Sequence, residues 1–378
     1  MPKRVIILGG GVGGTIVANR LRRKLRDSEA DITLVDSTGQ HLYQPGLLYV
    51  PFRGKNPQKL VRDEARLLSR GIQLIQGSCE RISPADRAIH IEDGEKLTYD
   101  YLVIATGATL HPEIIPGLTQ GGHHFYDPPS ALRLRDALSS FRGGRMLIGV
   151  ASYPIRCPPS PLEAAFFLDD MFRRAGVREK VDLEFFTPLD RVFPIKTVAD
   201  VVARLLEERG IRCSLEFNLE SVDHGKKSII SHTGEVKPYD FLIVIPPHRG
   251  SGVIEESGLG DEEGWVPTDE ESLRINAWDD VYALGDATDI PICKAGSTAH
   301  YQAPVVAENI ESEIRGSEPE AKYDGKVVFF FETAFNKAML AKFDYENPPH
   351  PSKPRRIYHW AKAVLNSLYW STVAKARI

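Results

Sequence analysis

A short apolar run, Arg4 to Leu8, leads into Gly9, Gly11 and Gly14 in GxGxxG register, and a helical pattern follows from Thr15 to Leu25. A second strand pattern, Asp31 to Val35, ends in Asp36, about 20 residues beyond the last glycine. Few folds can use this order. The glycines let a backbone approach a pyrophosphate, which rests at the positive end of the helix. The acid stands where it can take both ribose hydroxyls. A lone GxGxxG says little. Strand, glycines, helix, strand and acid together point to a bound dinucleotide.

Two later stretches bear on which dinucleotide. Tyr99 to Ala108 reads YDYLVIATGA, a buried strand pattern breaking at Ala105, Thr106 and Gly107. Ala277 to Thr288 reads AWDDVYALGDAT, a strand pattern ending in Gly285 and Asp286. Both resemble the second and third FAD signatures of flavoproteins with two dinucleotide domains. That resemblance implies that Asp286 holds the ribityl or pyrophosphate part of FAD. It also implies that a helix from about Gly296 to Ile310 aims its positive end at the flavin. Two ordinary core strands would explain the apolar runs but not the ATG and GD endings.

Between them lies a second βαβ pattern. Its expected strands are Met146–Val150, Asp182–Thr187, Ser214–Phe217 and Phe241–Ile245, with helices carried by Leu162–Leu168 and Val198–Glu208. In a doubly wound fold, the turn after Val150 is where a nicotinamide dinucleotide would bind, and it would need glycines. Here it reads Ala151 to Pro159, with prolines at 154, 158 and 159 and a thiol at Cys157. The strand that would carry a ribose-reading acid ends FFTP instead. The site reads as converted from nicotinamide binding to sulfur chemistry. Four cysteines in 378 residues, at spacings fitting no zinc pattern, argue against both a disulfide scaffold and a metal site. Cys79 and Cys213 read as structural.

The expected fold class is therefore α/β, two Rossmann-like dinucleotide-binding domains in tandem with a C-terminal amphipathic helical region. The expected partition is 1–117 with 265–318 for FAD, 118–264 for the second domain, and 319–378 for a membrane- and quinone-facing region. From Asn347 to Ile378 there are six basic residues and no acidic one. Ile357, Trp360, Ala361, Val364, Leu365 and Leu368 fall at helical spacing, with Tyr358, Tyr369 and Trp370 as interfacial aromatics. Two readings fit: a basic amphipathic helix lying in a membrane interface, or a terminal helix packed on its own domain. No apolar run approaches the ~18–20 residues of a spanning helix. No signal segment precedes the first strand, so the expectation is a peripheral protein on the cytoplasmic side. A net charge of −4 selects no partner, and no basic-aromatic platform suggests nucleic acid.

These motifs resemble those of sulfide:quinone oxidoreductases and of the flavoprotein subunit of flavocytochrome c sulfide dehydrogenase. The carrying stretches are Cys157–Ala165 (CPPSPLEAA), Tyr239-Asp240 leading to Pro246–Arg249 (PPHR), Gly264–Val266, Gly285–Gly296 (GDATDIPICKAG), Tyr323–Gly325 and Lys342–Tyr345. Type II NADH dehydrogenases share the FAD signatures but need a second glycine-rich loop, which this chain lacks. The resemblance implies FAD-dependent oxidation of sulfide or a small thiol, with electrons passing to a membrane quinone; it leaves a homo-oligomer open. Cys157 matches the cysteine beside the flavin, with its pKa expected to be lowered by Arg156 or the following helix N-terminus. Glu163 matches a proton acceptor, or is a solvated helix carboxylate. Lys294 approaches the flavin or quinone, or is a surface lysine. Phe329, Phe343 and Trp360 are expected on the quinone side. The departures are two. Phe329 stands where the family's second sulfur-carrying cysteine follows the YDG motif, and no cysteine stands near Asp127, where some members tether FAD. FAD is therefore expected to be non-covalent. Cys293 can replace the missing thiol, or Cys157 works alone; the single-cysteine version is favoured. A cytochrome as acceptor and a non-enzymatic flavin/thiol redox sensor are the alternatives to quinone reduction.

Overall fold

A computed structural model describes residues 1–377. Its first body is a six-stranded sheet in the order Arg274–Ile275, Trp278–Ala283, Tyr101–Ile104, Lys3–Leu8, Ala30–Asp36, Ile72–Gln76. All neighbours are parallel except the first pair. Val5 pairs Ile32 on one side and Tyr101 on the other, so the central strand is buried on both faces and its VIIL run is continuous rather than alternating. The cofactor helix, Val12–Lys24, packs against a long helix, Gly296–Ile314.

The second body is a four-stranded parallel sheet, Arg212–Ser214, Val181–Phe186, Gly144–Val150, Phe241–Ile245. The strand expected over Ser214–Phe217 instead ends at Ser214, because Glu216 adopts a left-handed φ of 56° that breaks the pleat. The cysteine helix, Ser160–Arg174, follows the Gly144–Val150 strand and buries Ala164, Ala165, Phe166, Phe167, Leu168 and Phe172. Lys196–Glu208 covers the same sheet. The fold is thus the expected α/β pair of Rossmann-type sheets, with small antiparallel meanders added.

The chain then forms an antiparallel hairpin, Val327–Ala334 with Lys337–Phe343, and a tail helix, Arg356–Leu368, packed on it. The tail helix inverts the usual amphipathic order. Its exposed face carries Ile357 (67% exposed), Trp360 (65%), Val364 (52%), Leu365 (46%) and Leu368 (44%). Its sheltered face is polar: His359, Lys362 and Asn366 reach Glu332, Glu163 and Tyr43. Tyr369 corrects the sequence expectation: it is buried against His41 and is no interfacial aromatic. Trp370 is partly buried, packed against the core beside Tyr43. Beyond them, Asn19 and Arg23 of the cofactor helix hold the carbonyls of Ala374, Lys375 and Ala376. The tail therefore packs on the protein through its polar face and leaves an apolar face outward. No helix among the described residues is long and apolar enough to cross a membrane.

Candidate functional site

The glycine loop is shaped for a dinucleotide. A Cβ on Gly14 would lie 2.0 Å from the Gly9 carbonyl oxygen, and one on Gly9 would lie 2.4 Å from that of Ala105. Those two glycines let backbones meet. Gly11 differs: a Cβ there meets nothing within 4 Å, and no side chain caps the helix that starts at Val12. Open space at uncapped helix amides is what a pyrophosphate needs. Asp36 accepts the Gly10 amide at 2.8 Å and the Thr38 and Gly39 amides at 2.9 and 2.8 Å, which holds its carboxylate at the strand tip. Buried polar atoms without protein partners stand in the other signatures: Thr106 Oγ1, Ser297 Oγ and Gln302 Nε2. The donor set fits the group.

Cys157 sits in a strained turn, at φ 50°, where a non-glycine residue is uncommon. Its amide donates to the Lys294 carbonyl at 2.7 Å, which ties the cysteine turn to the GDATDIPICKAG segment. Ser160 Oγ donates to Sγ at 3.0 Å. The expected activation by Arg156 is not found. Burial, and then the charge of Glu163, push the thiol up to about 11, while Ser160 and Lys362 act the other way. The Arg156 guanidinium is turned to Gln44 Oε1 and the Tyr126 carbonyl. The helix N-terminus does not offset the burial either.

Glu163 is no solvated carboxylate. It is 2% exposed, and its Oε1 accepts Lys362 Nζ and the Glu332 amide, both at 2.7 Å. Burial raises its pKa, opposed by Lys362. Lys294 is no surface lysine. Its Nζ donates to the Thr288 carbonyl at 2.6 Å and that of Asp286 at 3.1 Å, and lies 3.7 Å from the Trp265 ring centroid. Burial lowers its pKa to about 8. Asp286 is partly buried; desolvation raises its pKa, and the Lys294 and Arg156 charges oppose that rise.

Cys293 adjoins this cluster. Burial pushes its thiol up to about 12, and Cys157 is the charge that acts on it most. Cys79 is half-buried, whereas Cys213 is exposed on a short edge strand. Phe329 packs between Phe193 and Phe343, with ring centroids 6.2 and 6.3 Å away. Trp360 is not grouped with them and lies on the exposed face of the tail helix. Asp127, at the position of the tethering cysteine, caps the helix Pro128–Ser140 by accepting the Ser130 amide.

Sequence reasoning missed Lys362 and Glu332, which bond Glu163, and Tyr49 and His359, which bond Glu332; it gave His248 no role beyond its place in the PPHR stretch. Lone polar residues inside apolar stretches, Glu332 in VVFFFET above all, were the available signal. His248 is buried, donates Nδ1–H to the Pro246 carbonyl at 2.9 Å, and leaves Nε2 without a partner. Burial, then the Arg156 charge, hold it neutral with a pKa of about 3.

The paired sheets and the glycine cradle make a two-dinucleotide fold, and residues 3–151 match the family model described as pyridine nucleotide-disulphide oxidoreductase. The chain is a homologue of the sulfide:quinone oxidoreductases along nearly its whole length. It is 29% identical to the mitochondrial sulfide:quinone oxidoreductase of Mus musculus, over 98% of this chain and 86% of that protein. It is 24% identical to the sulfide-quinone reductase of Aquifex aeolicus, over 96% and 87%. A crystal structure of the sulfide:quinone oxidoreductase from Aquifex aeolicus superimposes with a TM-score of 0.88, at 22% identity, covering 98% of this chain and 91% of that one.

Proposed function

We propose that this chain is a flavoprotein oxidoreductase that takes two electrons from sulfide or a small thiol at Cys157 and delivers them to a membrane quinone. The observation that carries the reading is one half-buried thiol, with a carboxylate and an ammonium paired near it, tied by a backbone hydrogen bond to the segment that follows the third dinucleotide signature. FAD would be held non-covalently by Gly9, Gly11, Gly14 and Asp36, by Ala105–Gly107, and by Gly285, Asp286, Lys294 and the helix from Gly296. The body that holds it is 1–117 with 265–318; 118–264 carries the thiol, and 319–378 faces the acceptor. A bound flavin supplies a two-electron acceptor. The chain's own residues do the rest. Glu163 takes the thiol proton, Lys362 steadies the resulting charge, and the prolines and buried rings keep water from the sulfur. Phe329 cannot carry sulfur, so Cys157 works alone and a second thiol or sulfide removes the product sulfur. The hydrogen bond from the Cys157 amide to the carbonyl of Lys294, the residue next to Cys293, favours a second version, in which a sulfur bridge joins the two cysteines.

The outward apolar face of the tail helix, beside Arg355 and Arg356, supports seating on an anionic bilayer. Anaerobic titration tests the reaction. Sulfide should bleach the flavin, a soluble quinone should restore its colour over many turnovers, and Cys157→Ala should abolish both. Normal turnover in that variant removes the thiol from the mechanism. Mass spectrometry after sulfide treatment separates added sulfur on Cys157 alone from sulfur bridging Cys157 and Cys293.

A further inference from the structure

Four segments bring their polar groups to one buried place. Glu163 comes from the cysteine helix, Glu332 from the hairpin, Lys362 and His359 from the tail helix, and Tyr49 from the short helix Tyr49–Arg53. Glu163 accepts Lys362 Nζ at 2.7 Å. The Lys362 ammonium faces the Tyr49 ring, 5.9 Å from its centroid. The Tyr49 hydroxyl donates to Glu332 Oε1 at 3.1 Å. The Glu332 carboxylate, 1% exposed, meets His359 Nδ1 at 3.1 Å. His359 is 14% exposed and adjoins the outward Trp360. The other groups facing the set are the Cys157 thiol, the Tyr43 hydroxyl, and Arg53 and Lys55 over the Tyr49 ring.

Stability does not account for this cluster. Replacing a buried ion pair with well-packed apolar residues is often neutral or stabilising, and Phe166, Phe167 and Phe331 already fill the surrounding core. The cluster is also directional, with a thiol at one end and the tail-helix surface at the other.

We infer that Glu163, Lys362, Tyr49, Glu332 and His359 form the route by which protons pass between the Cys157 thiol and the tail-helix surface. The inference rests on the proposed reaction, in which two protons are released from sulfur and two are taken up by quinone. The relay moves no electrons. An S–H bond breaks as an O–H bond forms on Glu163. Neutral Glu163 no longer holds the proton on buried Lys362. Lys362 gives that proton through the Tyr49 hydroxyl to Glu332 and takes the one from Glu163. Glu332 passes its proton to His359 and so to the acceptor side. Each group returns to its starting state. The two half-reactions then share protons as well as electrons.

The test uses the full, flavin-loaded chain turning over sulfide and a soluble quinone. His359→Ala should slow turnover about tenfold or more, enlarge the solvent isotope effect, and be restored by added imidazole. Glu332→Gln should show the same loss without rescue. Melting temperature reports whether each variant is folded. Wild-type turnover and isotope effect in His359→Ala, or a loss that imidazole leaves unchanged, overturn the route while the reaction stands. Failure of sulfide to drive any turnover in the unaltered chain overturns both.

Discussion

Replacing Glu163 with Gln should make the Cys157 thiol more reactive and the enzyme slower. Burial and the Glu163 charge hold that thiol at about 11, against an ordinary 9.0. At pH 8 an ordinary thiol is then about one-tenth ionised and this one about one-thousandth, a penalty of about 2.7 kcal/mol on the thiolate. Burial is the larger cause and survives the substitution. The Glu163 charge does not survive it, and the Lys362 ammonium, freed from its partner, still favours the thiolate. Both changes have one sign, so alkylation of Cys157 at pH 8 should rise by up to about tenfold. Sulfide turnover should fall, because the proton acceptor is gone. Iodoacetamide labelling, followed peptide by peptide in a mass spectrometer over a range of pH, measures the first effect. Cys79 and Cys213 serve as internal references: half-buried Cys79 would label faster if the fold loosened, and exposed Cys213 reports the reagent and pH. Unchanged or slower labelling of Cys157, with the references steady, would refute the electrostatic account.

The glycine loop offers a contrast. Gly11→Val should leave a folded protein with little flavin, because its side chain enters space that only the cofactor uses, whereas Gly14→Ala should lower the melting temperature through its collision with the Gly9 carbonyl. Flavin content and thermal melts of the two variants decide it, and full flavin in Gly11→Val would reject the cradle. His248 should make the fold acid-sensitive. Its folded pKa of about 3 lies below the ordinary 6.5, so below pH 6.5 the unfolded chain gains a proton that the folded chain refuses. Stability is then lost as pH falls from 6.5 toward 3, by about 2 kcal/mol at pH 5. His248→Asn keeps a donor for the Pro246 carbonyl and should flatten that loss in urea unfolding; an equal loss in both proteins would count against it. On the tail, Trp360→Ser with Leu365→Ser should weaken binding to anionic vesicles and shift stability by less than about 0.5 kcal/mol. Tyr369→Phe, which leaves buried His41 Nε2 unpaired, should cost about 1–3 kcal/mol. The reverse pattern would make the tail helix an ordinary packed element.

What the sequence disclosed, and what it did not, follows from how far apart the interacting residues lie. The cradle was legible because its logic is local: Gly9, Gly11, Gly14 and Asp36 act within one βαβ unit, and their spacing carries the chemistry. The buried strands were legible because a sheet covered on both faces reads as a continuous apolar run, as IGV and LIVI do. The protonation state of Cys157 was not legible. Arg156 is its neighbour in sequence, but its guanidinium turns to Gln44. Glu163 lies in the first turn of the following helix, and Lys362 comes from a segment about two hundred residues away. Adjacency in the chain promised a lowered pKa, while tertiary burial imposes a raised one. The tail helix was legible only in part, for a related reason. Apolar residues at helical spacing reveal an amphipathic helix but not which face turns inward. Here the inward face is set by Glu163, Glu332 and Tyr43, acceptors and donors contributed by three other segments. Once His359, Lys362 and Asn366 answer them, Ile357, Trp360, Val364 and Leu365 are left outward. An apolar face is costly to hydrate, and exposed apolar patches mark contact surfaces. The same inversion that turns this apolar face outward therefore also completes the polar cluster beneath the thiol.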